Sequence, residues 1–254
     1  MAGQSKYPIY IISKGRYNNP LTALAFIKSG LDFLIAVEPQ EYDLYCKKLG
    51  SEFVLKLPFA NLGLGSYPAR NFCWEHSKSK EHQYHWLFDD NIRGFAKWIN
   101  GKKRPYENCI DAINYVNSYT DKNNIDISGF EYRYMVMKCP KKPFKNNCHV
   151  YSAMLIKNDI PYRWRLKYNE DIDLCLQVLH NGGSTASCVY YMTNKTSTAA
   201  KMKGGNQTEL YQGNKAEKNL LKAKMLEAVW PQYAKTVIRF NRHHHFVNWK
   251  AFKK

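Results

Sequence analysis

Nowhere in the 254 residues does an apolar run approach the ~18 needed to cross a bilayer, and Met1 to Arg16 lack the basic, apolar, small-residue order of a secretory signal. The chain is therefore expected to stay in the cytoplasm where it is made, with no membrane partner. Seven cysteines contain no Cys-x-x-Cys pair and make an odd count, which fits reduced thiols rather than a disulfide framework. Cys139 and Cys148-His149 match no standard zinc spacing, so buried or idle thiols are expected there. There is no internal repeat, and no helix-turn-helix, zinc-finger or RNA-sheet motif. The full dinucleotide fingerprint is also missing: Gly63-Leu64-Gly65-Ser66 offers two glycines only, a weak phosphate-loop signal. With 44% hydrophobic and 23% charged residues, wholesale disorder is excluded.

Acidic residues are scarce, 21 against 38 Lys and Arg, leaving a formal charge of +17. The excess is lopsided. From Tyr191 onward 13 Lys and Arg face only Glu209, Glu217 and Glu227, a net +10. A second basic stretch, Arg133 to Lys167, interleaves Lys138, Lys141, Lys142, Lys145, Arg163 and Arg165 with Tyr132, Tyr134, Phe144, Tyr162 and Trp164. Such a field attracts a polyanion, and interleaved aromatics offer faces on which extruded bases stack, so nucleic acid is the leading partner. Arg163, Trp164, Arg165 and Lys167 are the residues expected to contact DNA. A solvated basic surface serving solubility is the alternative.

Tyr7 to Ile12 reads as a buried strand, Asn19-Pro20 as a helix start closed by Gly30, and Phe33 to Val37 as a second strand. A helix over 41–49 and a strand over 53–57 continue the alternation. Strand, helix, strand, helix, strand predicts an α/β fold with a parallel sheet, right-handed crossovers, and a ligand site at the carboxyl ends of the strands. Further helices are expected over 68–76, 105–119 and from Asn169 to Asn181, with strands at 84–88, 125–130 and 151–156. Lys195 to Gln212 reads as a mobile loop, followed by a helix over 215–229 and a tail containing His243-His244-His245.

Two acidic motifs carry the candidate chemistry. Asp89-Asp90-Asn91 ends a buried strand, where two carboxylates and an amide oxygen suit Mg or Mn, or simply form a turn. Glu170, Asp171 and Asp173 open a helix. They complement its positive end by ~0.3–1 kcal/mol each, or, crowded together, raise one pKa enough to make a general base.

The segments Tyr10-Ile11-Ile12-Ser13-Lys14-Gly15-Arg16, Pro68-Ala69-Arg70-Asn71, Leu87-Phe88-Asp89-Asp90-Asn91 and Asn169-Glu170-Asp171-Ile172-Asp173-Leu174-Cys175-Leu176 together resemble glycosyltransferases of the GT-A fold. More narrowly, they resemble phage-encoded DNA glycosyltransferases related to the TET-associated glycosyltransferase family, over roughly residues 7 to 205. The resemblance implies a Rossmann-like, mostly parallel central sheet flanked by helices, with a GT-A core over 1–205 and a basic C-terminal helix and tail over 206–254 packed on the same domain.

It further implies glycosyl transfer from a nucleoside diphosphate sugar, a UDP-sugar, to 5-hydroxymethylcytosine or a related hydroxymethylpyrimidine in DNA, with inversion and a divalent metal, Mn or Mg. By this likeness Asp89 bonds the ribose or uracil side of the donor and Asp90 or Asn91 approaches the metal. Asn in the third position brings less charge than the family's Asp. Ser13, Arg16, Arg70 and Asn71 match the nucleotide pocket, and the Arg fork suits phosphate or a base edge. Asp171 matches the catalytic base, with Glu170 and Asp173 beside it. His243 or His245 would complete the metal shell, unless the histidines are only a basic surface cluster. Lys203, in Lys201 to Asn206, would meet phosphate from a glycine-hinged segment, unless that is an ordinary basic loop. No obligate protein partner is implied. A polysaccharide or protein acceptor on the same fold, and a nonenzymatic nucleic-acid-binding protein, are the competing readings.

Overall fold

The computed structural model describes residues 4–196, 204–205 and 214–253. Apolar strands β1 (Ile9–Ile12), β2 (Leu34–Val37) and β3 (Val54–Lys56) alternate with helices α1 (Leu21–Lys28), α2 (Tyr42–Leu49) and α3 (Tyr67–Ser79), after which β4 (Tyr84–Asp89) joins the sheet. β5 (Ile92–Ile99) and β6 (Lys102–Tyr106) precede α4 (Cys109–Asn123) and β7 (Ile127–Tyr132). The chain continues through β8 (Phe144–Asn146), β9 (Ala153–Lys157), α5 (Glu170–His180) and β10 (Thr185–Lys195), then α6 (Lys215–Val229) and the hairpin β11 (Ala234–Arg239) and β12 (Arg242–Val247).

The main sheet has the order β3-β2-β1-β4-β9-β7-β10-β5-β6, with β8 paired to β10. From the pairings, β1, β2, β3, β4, β6, β7 and β10 run one way and β5, β8 and β9 the other. The sheet is thus mixed but mostly parallel, with helices packed on it, as a GT-A-like α/β fold requires. β4 lies deep in it. Trp86 stacks on Phe88 and Phe130 with centroids 5.3 and 5.4 Å apart, and the Trp86 indole donates to Asn117 Oδ1 at 2.9 Å.

Three sequence expectations are corrected. The helix placed over 105–119 is preceded by edge strand β6, which contains Pro105, and it starts at Cys109 with Asn108 capping the Asp111 N–H. An edge strand tolerates the missing proline N–H. Lys195, assigned to a loop, ends the eleven-residue strand β10. The histidine tail is half of a hairpin. Its two-residue turn places Phe240 and Asn241 at φ of 51° and 54°.

Helix α6 and the hairpin join α5 through a separate apolar cluster of Ile172, Leu176, Leu226, Trp230, Ala234 and Val247. No helix among the described residues is long and apolar enough to cross a membrane.

Candidate active site

The carboxyl ends of β1, β4, β7 and β10 open onto one cavity of about 270 Å³. Ser13 follows β1, Asp89-Asp90-Asn91 close β4, Tyr132 ends β7 and Lys195 ends β10. Gly65, Ser66 and Arg70 at the start of α3 and Asn169, Glu170 and Asp171 at the start of α5 complete the walls.

The acidic turn after β4 is held from α1. Thr22 donates its hydroxyl to the Asp89 carbonyl at 2.6 Å and accepts the Ile92 N–H at 2.9 Å, while its own N–H reaches the Asp90 carbonyl at 3.3 Å. The turn therefore presents both carboxylates inward. Asp89 accepts from Arg70 Nη2 at 2.8 Å, Lys195 Nζ at 2.7 Å and Ser152 Oγ at 2.6 Å. Burial alone would raise its pKa, but Lys195 and Arg70 hold the carboxyl well below the usual range, so it is ionised. Asp90 pairs with Arg16 and accepts from Ser13 Oγ at 2.6 Å; burial outweighs both and pushes its pKa up.

Arg70 joins the two acidic motifs. Only 3% exposed, it also lies 3.5 Å from Glu170 and stacks over Trp164 with its guanidinium 4.7 Å from the ring centroid. Glu170 accepts in addition from Ser66 Oγ at 2.7 Å. That leaves Asp171 as the carboxylate at the cavity with no cation bonded to it among the described residues; its Oδ1 accepts the Ile172 N–H at 2.8 Å. Burial, and then the neighbouring Glu170, push its carboxyl up to about 7 against the pull of Arg70 and the Ile172 N–H. A carboxylate that titrates near neutrality is matched to taking a proton from a hydroxyl.

Of the residues singled out in the sequence, Ser13, Arg16, Arg70, Asp89, Asp90, Asn91, Glu170 and Asp171 meet at the cavity. Others do not. Asp173, wholly buried, accepts from Arg165, Gln177 and the Trp230 indole on the far side of α5, which makes it a tie between elements rather than a base. Asn71 turns to the Trp164 backbone, donating to its carbonyl at 2.8 Å and accepting its N–H at 3.1 Å.

In the segment expected to contact DNA the aromatic ring is buried and both arginines are engaged within the protein, although Arg165 is exposed. Trp164 is 1% exposed, Arg165 is committed to Asp173, and Arg163 is paired with Glu75 at 2.9 Å and stacked over Trp74. Lys167, half-buried, is not in the cavity wall. Lys203 lies outside the described residues, but Gly205 lines the cavity and its N–H donates to the Lys14 carbonyl at 2.6 Å. Residues missed in the sequence are Lys195, Ser152 and Tyr132, whose polar atoms form one cluster with Asp89. The strand-end position of Lys195 would have flagged it had β10 been read to its full length.

A divalent cation can be tested against these donors. Among the described residues no three His, Cys, Asp or Glu side chains are grouped so as to hold one, and all seven cysteines are free. His243 and His245 lie on β12, outside the cavity wall, so they are not brought to Asp90 and Asn91. Two ligands nevertheless fit. Asn91 Oδ1 is buried without a partner among the described residues, and burial raises the pKa of Asp90, whose oxygens meet Arg16 and Ser13 and would turn to a cation in their place. Among the described residues the walls set Lys14, Arg16, Arg70 and Lys195 beside Glu38, Asp89, Asp90, Glu170 and Asp171, so charges of both signs meet in the cavity. Asp90 and Asn91 would hold a hard cation whose remaining ligands come from the substrate.

The family model for TET-associated glycosyltransferases matches residues 7–205, a span that contains every element of this cavity. The chain belongs to the TET-associated glycosyltransferase family. It is therefore a glycosyltransferase enzyme, with its cavity inside the matched region and α6 and the hairpin beyond it. A comparison with curated proteins finds no match.

Proposed function

We propose that this glycosyltransferase moves a sugar from a UDP-sugar to the hydroxymethyl group of 5-hydroxymethylcytosine, or a closely related hydroxymethylpyrimidine, in phage DNA, with inversion at the anomeric carbon. The observation that carries the donor half is a pair of buried orphans on cavity residues. Among the described residues Arg70 Nη1 has two N–H groups and no acceptor, and Asn91 Oδ1 has lone pairs and no donor. Leaving such groups unmatched costs about 1–3 kcal/mol each, so a ligand offering both an oxygen acceptor and a cation or donor accounts for them. A nucleoside diphosphate with its counter-ion is such a ligand.

In the reaction, ionised Asp171 takes the proton of the acceptor hydroxyl. The oxygen forms its bond to the anomeric carbon as the bond to the diphosphate breaks, and the electron pair leaves with the UDP. One displacement implies inversion. Arg16 and Arg70 supply forked donors for the leaving phosphates, and Asp89, ionised throughout, holds Lys195 and Arg70 in place. When bound, Mn or Mg would add charge neutralisation at the leaving group. The DNA half rests on the family and on the +17 charge. Extruding the target nucleotide costs a few kcal/mol, which phosphate contacts offset.

Incubation with hydroxymethylated DNA, a panel of UDP-sugars and Mn, followed by mass analysis of the digested nucleosides, tests the reading. A sugar-sized increment on the hydroxymethylpyrimidine is expected. Transfer to a polysaccharide or protein but to no DNA would replace the acceptor, and absence of any transfer would remove the donor as well.

Gly204 supplies a separate check. A Cβ there would collide with the Gly15 carbonyl, and its φ of 85° suits only glycine. Gly204→Ala is expected to lift this segment from the Lys14–Arg16 loop. The strain of roughly 1–3 kcal/mol corresponds to about 5- to 150-fold weaker UDP binding by calorimetry. Unchanged UDP affinity would detach the segment from donor binding.

A further inference from the structure

An acceptor base has to approach Asp171, and the aromatic side chain among the described lining residues is Tyr132, at the end of β7. The Tyr132 ring is nearly parallel to Tyr151, 5.0 Å between centroids and 8° between planes, and also stacks with Tyr134 at 5.3 Å and 21°. Tyr132 lines the same cavity as Asp171, so this stack starts at the wall that the base shares. Tyr132 is buried and fixed, its hydroxyl bonded to Ser152 at 2.6 Å and to Lys195 at 3.2 Å.

Tyr134 is different: 57% exposed, with Met135 and Met137 beside it at 41% and 80%. Its exposure does not come from a slack loop. Lys103 donates to the Arg133 and Val136 carbonyls at 2.8 Å each, Met135 N–H closes the turn on the Tyr132 carbonyl at 2.9 Å, and Val136 is anchored in an apolar cluster with Trp98 and Met192. A pinned turn is thus holding an aromatic ring in water, in register with a ring of the cavity wall. Exposed Lys138, Lys141 and Lys142 follow on the same connection, and exposed Lys145, 3.4 Å from Glu131, stands on β8 just after it.

We propose that Tyr134 is the stacking platform for the extruded acceptor base, at the mouth of the cavity, with the lysines that follow it engaging the flanking phosphates. This rests on the DNA-acceptor reading above and moves DNA contact from residues 163–167 to residues 133–145. A ring already held in place loses little freedom when a base stacks on it, and stacking tolerates any pyrimidine, so the platform supplies affinity while the cavity supplies selection.

The test uses the full chain with Tyr134→Ala and Tyr134→Phe, a single-stranded hydroxymethylated oligonucleotide for kinetics, and an oligonucleotide with 2-aminopurine at the target position for fluorescence. Tyr134→Ala is expected to raise KM for DNA by about 5- to 150-fold with a smaller change in kcat, and to abolish the quenching of 2-aminopurine. Tyr134→Phe should restore both to within about twofold, since stacking needs the ring and not the hydroxyl. Wild-type KM in Tyr134→Ala would overturn the platform and leave the enzyme's function standing. So would a loss that Phe does not rescue, or one confined to kcat. A wild-type protein that binds UDP and modifies no DNA would overturn the acceptor reading together with the platform, leaving the exposed methionines and Tyr134 as a surface for a protein partner.

Discussion

Asp171→Asn is expected to lower kcat by about 10²- to 10⁴-fold, the span that a positioned general base contributes, while leaving the fold intact. The amide keeps the shape and still accepts the Ile172 N–H, so only the proton-accepting charge is lost. The pH dependence makes the assignment specific. Burial and Glu170 push the Asp171 carboxyl up to about 7, so wild-type kcat should rise with pH through neutrality and level off above it, and this limb should vanish in the variant. Stability should move the other way. A carboxyl whose folded pKa is raised contributes stability that is complete below its unfolded value near 4 and is lost as pH rises through the folded value near 7. Thermal melts should therefore show Asp171→Asn more stable than wild type at pH 8, with the gap closing towards pH 4. A variant that keeps transferring sugar with an unchanged pH profile would remove Asp171 from the reaction, while equal Tm values at pH 8 would show that its ionised form is not strained.

That pair of effects was half legible in the amino-acid order. Crowded carboxylates at a helix start announce a raised pKa, and the apolar strand before Asp89 announces a turn at the carboxyl edge of a sheet. What the order did not state is which carboxylate is free. Arg70 is a hundred residues from Glu170 in sequence, and Lys195 is 106 positions from Asp89, yet these cations decide that Asp89 and Glu170 are paired while Asp171 is not.

Helix geometry alone separates Asp173 from the cavity. Two residues along a helix turn a side chain by about 200°, so Asp171 and Asp173 cannot face the same cavity. No such local rule buries Trp164. Nothing in the alternation of basic and aromatic residues from 162 to 167 distinguishes rings offered to solvent from rings laid under Arg70. Tyr134, in an equally basic and aromatic stretch, is the exposed one, and the difference is made by Lys103 fastening its turn from another strand. Strands β5 and β6 escaped notice for a related reason. Gly94, Lys97 and Pro105 interrupt the apolar rhythm, and only pairing with β10 and with each other makes those residues strands.

Arg70→Met should cost both stability and donor binding. Removing one partner of a buried ion pair strands the other charge, typically at about 3–5 kcal/mol, and Arg70 leaves behind both Asp89 and Glu170. Lys195 and Ser152 still hold Asp89, and Ser66 still holds Glu170, so collapse is not expected; a Tm drop of about 10 °C fits a chain of this size. UDP binding should fall below detection, because the orphan Nη1 and the fork leave together. Arg70→Lys should not rescue binding. An ammonium on a flexible stem cannot stack on Trp164 while reaching both carboxylates.

Acid unfolding should report the loss of Arg70 as well. Asp89, with its folded pKa depressed, contributes stability that is present above its unfolded value and is lost as pH falls through the folded one. Taking away Arg70 raises that folded value, so the acid unfolding midpoint of Arg70→Met should move to higher pH than wild type. Adding Glu170→Gln to Arg70→Met removes one stranded charge and should recover part of the Tm without recovering UDP binding. Recovery of both together would mean that Arg70 acts on the donor only by holding the fold, and that the phosphates are bound elsewhere in the cavity.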